Sequence, residues 1–240
     1  MEHFVEGVLS VKAVVEANKR DVYKVLISQK KHSKNIAYLI RLCKSKDIEV
    51  VFCEDSDLEV YSESGHGGVL ALVSSRRYDD LEEMLKAKKP FIAILEGIED
   101  PFNFGYCLRS LYAAGCNGVI VPSRNWSDVS NVVTKSSAGA SEFINLYASD
   151  DIVSVVKDLQ SKGLKMYAAN RKDAKSLYKT EFEDAIILAI GGEKRGLSSK
   201  LQALTDNNIY IPYANDFKNA INGSSACAIL SFEIFRQRGI

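Results

Sequence analysis

The stretch Leu95–Gly115, LEGIEDPFNFGYCLRSLYAAG, joins an apolar run to a helical pattern through a short polar loop. The run that leads into it, PFIAILEG, has the continuous apolar character of a strand that is buried on both faces of a parallel sheet. Asn103, Gly105 and Arg109 follow at close spacing, and the neighbours Leu108, Leu111 and Tyr112 predict that Arg109 is partly enclosed. Ligands of such sheets bind beyond the carboxyl ends of the strands. The stretch therefore predicts an α/β fold with a functional loop directly after this strand.

The composition is that of an ordinary globular protein. The chain has 240 residues, of which 46% are hydrophobic and 26% charged, and its 31 basic residues balance 31 acidic ones. A net charge of zero gives no global basic field, so a nucleic-acid site must be a local patch. No apolar run reaches the roughly 18 residues of a membrane span. The first ten residues lack the pattern of a signal peptide.

Cysteine and histidine usage narrows the chemistry further. The five cysteines are odd in number and none forms a CxxC pair, which disfavours a disulfide framework or a metal site and favours the cytoplasm. The three histidines all lie at or before His66. Chemistry in the later part of the chain must therefore proceed without histidine as a base or as a metal ligand.

The chain divides into two predicted domains, a small α/β domain over residues 1–86 and a larger α/β domain over residues 91–240. In the first, helical periodicity covers Gly7–Arg20 and Ser33–Asp47. The stretch Tyr78–Pro90, YDDLEEMLKAKKP, predicts a charged helix followed by a basic link into the second domain. In the second, five short apolar runs alternate with helical ones, which indicates a parallel sheet covered on both faces. These runs are FIAILEG, GVIVPS, KMYAAN, AIILAIG and NIYIPY.

Two further loops follow predicted strands and carry distinctive residues. Ala189–Ser198, AIGGEKRGLS, has glycines that permit a close approach of backbone to a ligand, but it matches neither the P-loop nor the GxGxxG spacing. A tight turn with solvated charges is the alternative. Asn222, Ser224 and Ser225 begin a helix rich in small residues, where capping of the free N–H groups is the alternative to a binding role.

Taken in order, the three loops resemble the motifs of the SpoU/TrmH family of RNA ribose methyltransferases, within the SPOUT class. The matching stretches are DPFNFGYCLRSLYAAG, IGGEKRGLS and IPYANDFKNAINGSSACAILSFE. Val132–Phe143, VVTKSSAGASEF, is similar to another segment typical of the family. The stretches VEGVLSVKAVVEA and SGHGGVLALVSS are similar to the small RNA-binding domain that often precedes the catalytic one. The resemblance covers nearly the whole chain.

The resemblance implies a homodimer that holds S-adenosyl-L-methionine in a C-terminal trefoil knot. It implies Arg109 as the catalytic residue, Asn103 as the residue that places Arg109 or the substrate, and Glu193 as part of the site. Arg109 can act as a base or as a phosphate clamp, in which case Glu193 or water takes the proton. The implied cofactor-binding residues are Gly191, Gly192, Ile211, Ile221, Asn222 and Ser224.

An RNA substrate follows from the resemblance and from the ribose 2′-hydroxyl, which DNA lacks. Ribosomal RNA is preferred over transfer RNA because the extra N-terminal domain resembles that of ribosomal-RNA members. Lys30, Lys31 and Lys34 form a tight basic cluster and Arg76 belongs to a smaller one. We expect these four side chains to contact RNA phosphates, with a solvated loop as the alternative.

Two positions depart from the family pattern. The Ser-Leu-Asn of the family reads Ala220-Ile221-Asn222 here, which removes a hydroxyl whose hydrogen bond would contribute about 1 kcal/mol. The usual His-Gln-Gly reads His66-Gly67-Gly68, in a loop expected to meet RNA. These changes keep open a non-catalytic RNA-binding or assembly protein on the same fold. A nucleotide-dependent enzyme on a conventional doubly wound sheet is a third possibility, disfavoured by the missing GxGxxG.

Overall fold

The computed structural model of the chain describes residues 2–62, 65–123, 130–205 and 207–239. Two units emerge, the first made of Met1–Arg77 with Asn125–Phe143 and the second of Tyr78–Arg124 with Ile144–Ile240. The described part of the inserted segment, residues 130–143, therefore belongs to the first unit. The domain limits 1–86 and 91–240 stay a prediction.

Strands and helices alternate along most of the chain. The strands are β1 (Glu2–Glu6), β2 (Val22–Ser28), β3 (Glu49–Cys53), β4 (Val69–Ser74), β5 (Phe91–Glu96), β6 (Gly118–Pro122), β7 (Leu146–Ser149), β8 (Lys165–Ala169), β9 (Lys175–Ser176), β10 (Ile186–Gly191) and β11 (Asn207–Tyr210). The helices are α1 (Val8–Ala17), α2 (Lys34–Ser45), α3 (Asp55–Glu59), α4 (Leu81–Met84), α5 (Pro101–Ala113), α6 (Ser130–Ser136), α7 (Ala140–Phe143), α8 (Ile152–Ser161), α9 (Ser199–Gln202) and α10 (Gly223–Arg238).

The first unit is built on a four-stranded sheet in the order β1-β4-β2-β3. β4 is antiparallel to both of its neighbours, and β3 is parallel to β2, so the carboxyl ends of β2 and β3 lie at the same edge. Apolar residues of α1 and α2, such as Val11 and Leu39, pack in one core with the strands. The predicted start of α2 is confirmed, because the Ser33 hydroxyl accepts a hydrogen bond from the Ile36 N–H at 3.2 Å.

A buried ion pair ties the segment 130–143 into the first unit. The Arg20 guanidinium donates to both carboxylate oxygens of Glu142, from Nε at 3.0 Å and from a terminal nitrogen at 2.8 Å. Both side chains are buried, and the Thr134 hydroxyl lies 3.3 Å from the same carboxylate. Close packing adds to this attachment, since a Cβ on Gly139 would lie 2.4 Å from the Cβ of Ala13 in α1.

The second unit is built on a seven-stranded sheet in the order β7-β6-β5-β10-β8-β11-β9. All of its described strand pairs are parallel, so the predicted class, a parallel α/β sheet preceded by a smaller α/β unit, is confirmed. The five apolar runs predicted as strands all form strands. The strands β1, β7 and β9 were not predicted. The trefoil knot stays a prediction.

The charged helix predicted within Tyr78–Pro90 is present as the single turn α4. Met84 is fully buried in the second unit, which fixes this one turn. Pro90 lies directly before β5, and its carbonyl accepts a hydrogen bond at 2.9 Å from the N–H of Ile186, the first residue of β10. Residues 85–89 must therefore serve as a connection rather than as further helix. Within the described ranges, no helix combines the length and apolar character needed to cross a membrane.

Candidate active site

Three loops meet at the carboxyl ends of the two central strands of the second unit. Glu96 at the end of β5 is in register with Gly191 at the end of β10. The Gly192 N–H donates to the Glu96 carbonyl at 2.7 Å, and the Gly196 N–H donates back to the Gly192 carbonyl at 2.8 Å. The glycine-rich loop is therefore folded tightly onto the loop that leads into α5.

The two glycines at positions 191 and 192 are required by the backbone of the protein itself. A Cβ on Gly192 would lie 1.9 Å from the Gly97 carbonyl oxygen, and a Cβ on Gly191 would lie 2.2 Å from the Gly196 carbonyl carbon. Real Cβ contacts essentially never fall below 3.0 Å. Glycine here permits loop-to-loop contact, and this contact fixes where the next residue, Glu193, stands.

A cleft of about 520 Å³ opens between these loops and the start of α10. Three predicted site residues line it together: Asn103, Glu193 and Ser224. We call it the Glu193 cleft. Charged residues from the same loops complete its wall, namely Glu99, Asp100, Lys194 and Arg195. Residues from three distant stretches of the chain thus face one volume.

Hydrogen bonds connect the three residues to the helix starts. The Gly223 N–H donates to Glu193 Oε1 at 3.2 Å, so the carboxylate sits at the N-terminal end of α10, where a negative charge is favoured. The Ser224 hydroxyl lies 3.3 Å from Asn103 Oδ1 and 3.3 Å from Asn222 Oδ1. Both oxygens are acceptors, so one hydroxyl proton serves them in turn.

Capping accounts for part of the polar cluster at this helix start. Asn222 is the N-cap of α10, and its Oδ1 accepts a hydrogen bond from the Ser225 N–H at 2.7 Å. Asp100 caps α5 in the same way by accepting from the Asn103 N–H at 2.8 Å. Both caps place a predicted site residue at a helix end, so capping and the predicted role are compatible here.

Three of the remaining predicted cofactor residues lie in the loop 211–222, namely Ile211, Ile221 and Asn222. Ile211 and Ile221 line a second cleft, of about 430 Å³, which we call the Ile221 cleft. Aromatic side chains complete its wall, namely Tyr178, Tyr213 and Phe217. Gly191 and Gly192 line neither cleft, and Asn222 acts there as a cap.

The loop 211–222 is held closed by Tyr213 and Arg171. The Tyr213 hydroxyl accepts a hydrogen bond from the Ile221 N–H at 3.1 Å. The Arg171 guanidinium lies over the Tyr213 ring, 4.5 Å from its centroid, and donates to the Lys218 carbonyl at 3.1 Å. These contacts hold Ile221 and the start of α10 in place without help from residue 220, which is exposed.

Arg109 lies elsewhere, on the outer face of α5. The expectation that its sequence neighbours partly enclose it was wrong, because Leu108 and Leu111 point into the core while Arg109 is exposed. It shares a helical stripe with two exposed aromatic residues, Phe102 and Tyr106, and it does not line the Glu193 cleft. The i, i+4, i+7 spacing of this stripe is the sequence signal that could have placed Arg109 correctly.

The predicted RNA contacts divide into two groups. Lys30, Lys31 and Lys34 are exposed and follow the carboxyl end of β2. Arg76 instead donates to two backbone carbonyls, those of Ser141 at 2.9 Å and of its neighbour in sequence at 2.8 Å, so its guanidinium serves the packing of the first unit. Among the residues that the structure describes, no group of three histidine, cysteine or acidic side chains could hold a metal ion.

Comparison with known proteins gives two family matches. The model of the SpoU rRNA Methylase family matches residues 90–232, and the model for RNA 2′-O ribose methyltransferase substrate binding matches residues 4–79. A 23S rRNA (guanosine-2′-O-)-methyltransferase, RlmB, of Shewanella oneidensis is 30% identical over 237 residues, which cover 97% of this chain and 96% of the relative. The RlmB of Pseudomonas putida is 28% identical over 98% of this chain and 96% of its own length.

Solved structures of the same fold cover almost the whole chain. The SpoU methyltransferase AviRb from Streptomyces viridochromogenes superposes with a TM-score of 0.81 at 23% identity, over 99% of this chain and 90% of that chain. An AdoMet-bound rRNA methyltransferase from Sinorhizobium meliloti superposes with a TM-score of 0.81 at 16% identity, over 98% of this chain and 87% of that chain. With more than half of its length matched by the family model, this chain belongs to the SpoU rRNA methylase family.

Proposed function

We propose that this protein transfers a methyl group from S-adenosyl-L-methionine to a ribose 2′-hydroxyl of ribosomal RNA, in the cytoplasm. The observation that carries the proposal is the convergence of Asn103, Glu193 and Ser224 on one cleft at the strand ends. Family membership and the 23S rRNA methyltransferase relatives support the reaction and the substrate class. A guanosine target is supported by the two RlmB relatives, which are guanosine-2′-O-methyltransferases.

The Ile221 cleft fits the cofactor in its chemistry. S-adenosyl-L-methionine supplies an electrophilic methyl group on a sulfonium centre. Isoleucine and tyrosine side chains offer flat apolar walls to an adenine ring, and the exposed backbone of the loop 211–222 offers hydrogen-bonding groups. The alanine at position 220 does not count against this fit, because its side chain is exposed and its missing hydroxyl leaves no buried group unpaired.

Glu193 is the residue best placed to receive the proton of the 2′-hydroxyl. Its carboxylate only accepts hydrogen bonds, and the Gly223 N–H orients one oxygen, which leaves the other for the substrate. Asn103 accepts from Ser224 through Oδ1, so its amide nitrogen remains to donate to the substrate. The planar guanidinium fork of Arg109 suits a phosphate of the RNA, so we assign it the clamp rather than the base.

We infer a homodimer, which the outer face of the second unit supports. α5 and α10 pack against each other, and Cys227 Sγ lies 3.8 Å from the Cys107 carbonyl oxygen. Both helices expose large apolar residues on their outer side, among them Tyr106 at 45% and Phe232 at 47% of their surface. A second copy of the chain covers this stripe and with it Arg109, which then serves the Glu193 cleft of the partner.

Methyl transfer to RNA tests the reaction. Unmodified total RNA is incubated with labelled S-adenosyl-L-methionine, digested and analysed for 2′-O-methylated nucleosides by mass spectrometry. We expect Glu193→Gln and Arg109→Ala to lower the rate by about 100-fold or more, with cofactor affinity retained. Unimpaired transfer by Arg109→Lys would contradict the fork-shaped clamp. Absence of cofactor binding by the unaltered protein would favour the non-catalytic RNA-binding alternative.

Mixed dimers test the placement of Arg109. Arg109→Ala and Glu193→Gln proteins are each inactive alone, but a mixed dimer contains one complete site if Arg109 acts on the partner. Statistical mixing should then restore about a quarter of the activity. If Arg109 serves its own chain, mixing restores nothing. Phe232→Glu, which places a charge on the proposed interface, should yield a monomer in analytical ultracentrifugation.

A further inference from the structure

A cleft of about 440 Å³ lies at the carboxyl ends of β2 and β3 in the first unit, within the size range of ligand sites. Its lining has both signs of charge, from Lys30, Lys31, Asp55 and Glu59, together with the imidazole of His66. We call it the His66 cleft. Lys30 and Lys31, predicted to lie in a solvated or RNA-binding loop, and the altered His66 loop thus face one volume.

The hydrogen bonds of the His66 loop fix the tautomer of the imidazole. The Gly68 N–H donates to His66 Nδ1 at 3.0 Å. A backbone N–H cannot accept, so Nδ1 carries the lone pair and the neutral ring carries its proton on Nε2. The turn depends on Gly68, whose φ of +83° is unfavourable for other residues and against which the stem of Lys31 packs. His66 therefore presents a defined hydrogen-bond donor.

Asp55 presents the complementary acceptor. Its carboxylate takes a hydrogen bond from the Ser28 hydroxyl, which lowers the pKa of Asp55, and the nearby charge of Lys30 lowers it further. Lys30 Nζ lies 3.5 Å from Asp55 Oδ2. Ser28 is buried at the end of β2 and also accepts from the Lys30 N–H at 3.2 Å, so the carboxylate is anchored to the sheet. Asp55 thus remains ionised at neutral pH and is held in a defined position.

The balance of charges in the cleft selects the kind of ligand. Two lysines attract a phosphate, but two carboxylates would repel a ligand that is only an anion. A ligand that satisfies both carries a phosphate on one side and hydrogen-bond donors on the other. A nucleotide does so when its base is unpaired and its donor edge meets the carboxylates.

We propose that the His66 cleft binds one unpaired guanine nucleotide of the RNA substrate. Guanine is the base that offers two adjacent donors, N1–H and N2–H₂, to a single carboxylate such as Asp55. It also offers O6 and N7 as acceptors to the Nε2–H of His66, while the phosphate meets Lys30 and Lys31. The inference rests on the proposed RNA methyltransferase function and adds to it a second recognition site for a base.

Binding of short oligoribonucleotides to the full-length protein tests the inference. Fluorescein-labelled UUGUU, UUAUU, UUCUU and UUUUU are titrated at low salt, and unlabelled guanosine monophosphate is used as a competitor. We expect UUGUU to bind about tenfold more tightly than the other three, the effect of one good bidentate base contact. Asp55→Asn should abolish this preference, because an amide offers one acceptor where the carboxylate offers two.

The matched control is Asp47→Asn, which removes one exposed acid of the same unit away from the cleft. Both variants lose one negative charge, so both gain equally in unspecific attraction to RNA, and only Asp55→Asn should lose the guanine preference. Glu59→Gln, at an exposed position of the cleft, serves as a second variant that does not threaten the fold, and it should weaken the preference in the same direction.

Several results would overturn the inference. Equal affinity of the unaltered protein for the four oligomers would do so, as would a guanine preference that survives Asp55→Asn and Glu59→Gln. Competition by guanosine monophosphate as effective as that by UUGUU would assign the cleft to a free nucleotide instead of RNA. Methyl transfer measured on the same preparations separates the two proposals. Transfer without base preference overturns the cleft alone, and base preference without transfer overturns the methyltransferase function alone.

Discussion

Replacement of Gly192 by alanine should disable the site without unfolding the protein. The new Cβ would lie 1.9 Å from the Gly97 carbonyl oxygen, although real Cβ contacts stay above 3.0 Å. The two loops must therefore separate by about 1 Å. This displacement weakens the hydrogen bond between the Gly192 N–H and the Glu96 carbonyl and moves Glu193 relative to Asn103 and Ser224. A misplacement of this size costs about 100-fold in rate.

The measurement is kcat/KM for methyl transfer to ribosomal RNA, with circular dichroism to confirm that the fold persists. Gly223→Ala is the matched control, since it makes the same change in the same cleft. Its Cβ would meet no atom closer than Glu193 Cγ at 4.0 Å, and alanine suits the first turn of α10 better than glycine. Gly223→Ala should therefore keep its activity. Full activity of Gly192→Ala would refute the claim that backbone contact between the loops positions Glu193.

Three further predictions concern the rest of the molecule. Arg20→Met should destabilise the protein by about 3–5 kcal/mol in urea unfolding, because it leaves Glu142 buried without its partner. The double variant Arg20→Met/Glu142→Leu should lose less stability than the sum of the two single losses, and additive losses would contradict this. Tyr213→Phe removes the acceptor for the Ile221 N–H, so it should cost about 1 kcal/mol in stability and weaken cofactor binding measured by calorimetry. The control Tyr178→Phe, at an exposed tyrosine of the same cleft, should change neither stability nor cofactor binding. Burial raises the pKa of the Cys116 thiol to about 12, so its reactive thiolate forms only as the pH approaches that value. Iodoacetamide at pH 8 should therefore modify the half-buried Cys53 first, and early modification of Cys116 in peptide mass spectrometry would refute this.

The central strands could be predicted from the sequence because their signal is local. The run FIAIL of β5 is apolar and buried at every position, and only a strand with both faces covered suits it. β1 and β7 gave no such signal. β1 has the sequence EHFVE and lies at a sheet edge, and its only described strand partner, β4, is more than 60 residues away in the chain. Pairing at that distance, rather than local propensity, makes it a strand.

The site shows the same division between local and distant information. Asn103, Glu193 and Ser224 were assigned to one site because their motifs follow one another in a familiar order. The orientation of Arg109 was misjudged because neighbours in sequence were treated as neighbours in space, whereas on a helix the residues three and four positions away share a face. The His66 cleft escaped prediction because Lys30, Asp55 and His66 come from three loops that only the sheet of the first unit brings together.

The pairing of Arg20 with Glu142 has a consequence for how the chain folds as it is made. The two residues are 122 positions apart, so at about 5–20 residues per second a ribosome adds Glu142 roughly 6–25 seconds after Arg20. During that interval the nascent first unit has an arginine destined for its interior and no carboxylate to neutralise it. The unit therefore completes its core only after the first segment of the second unit, Tyr78–Arg124, has been synthesised. A fragment that ends at residue 86 would remain permanently in that unfinished state.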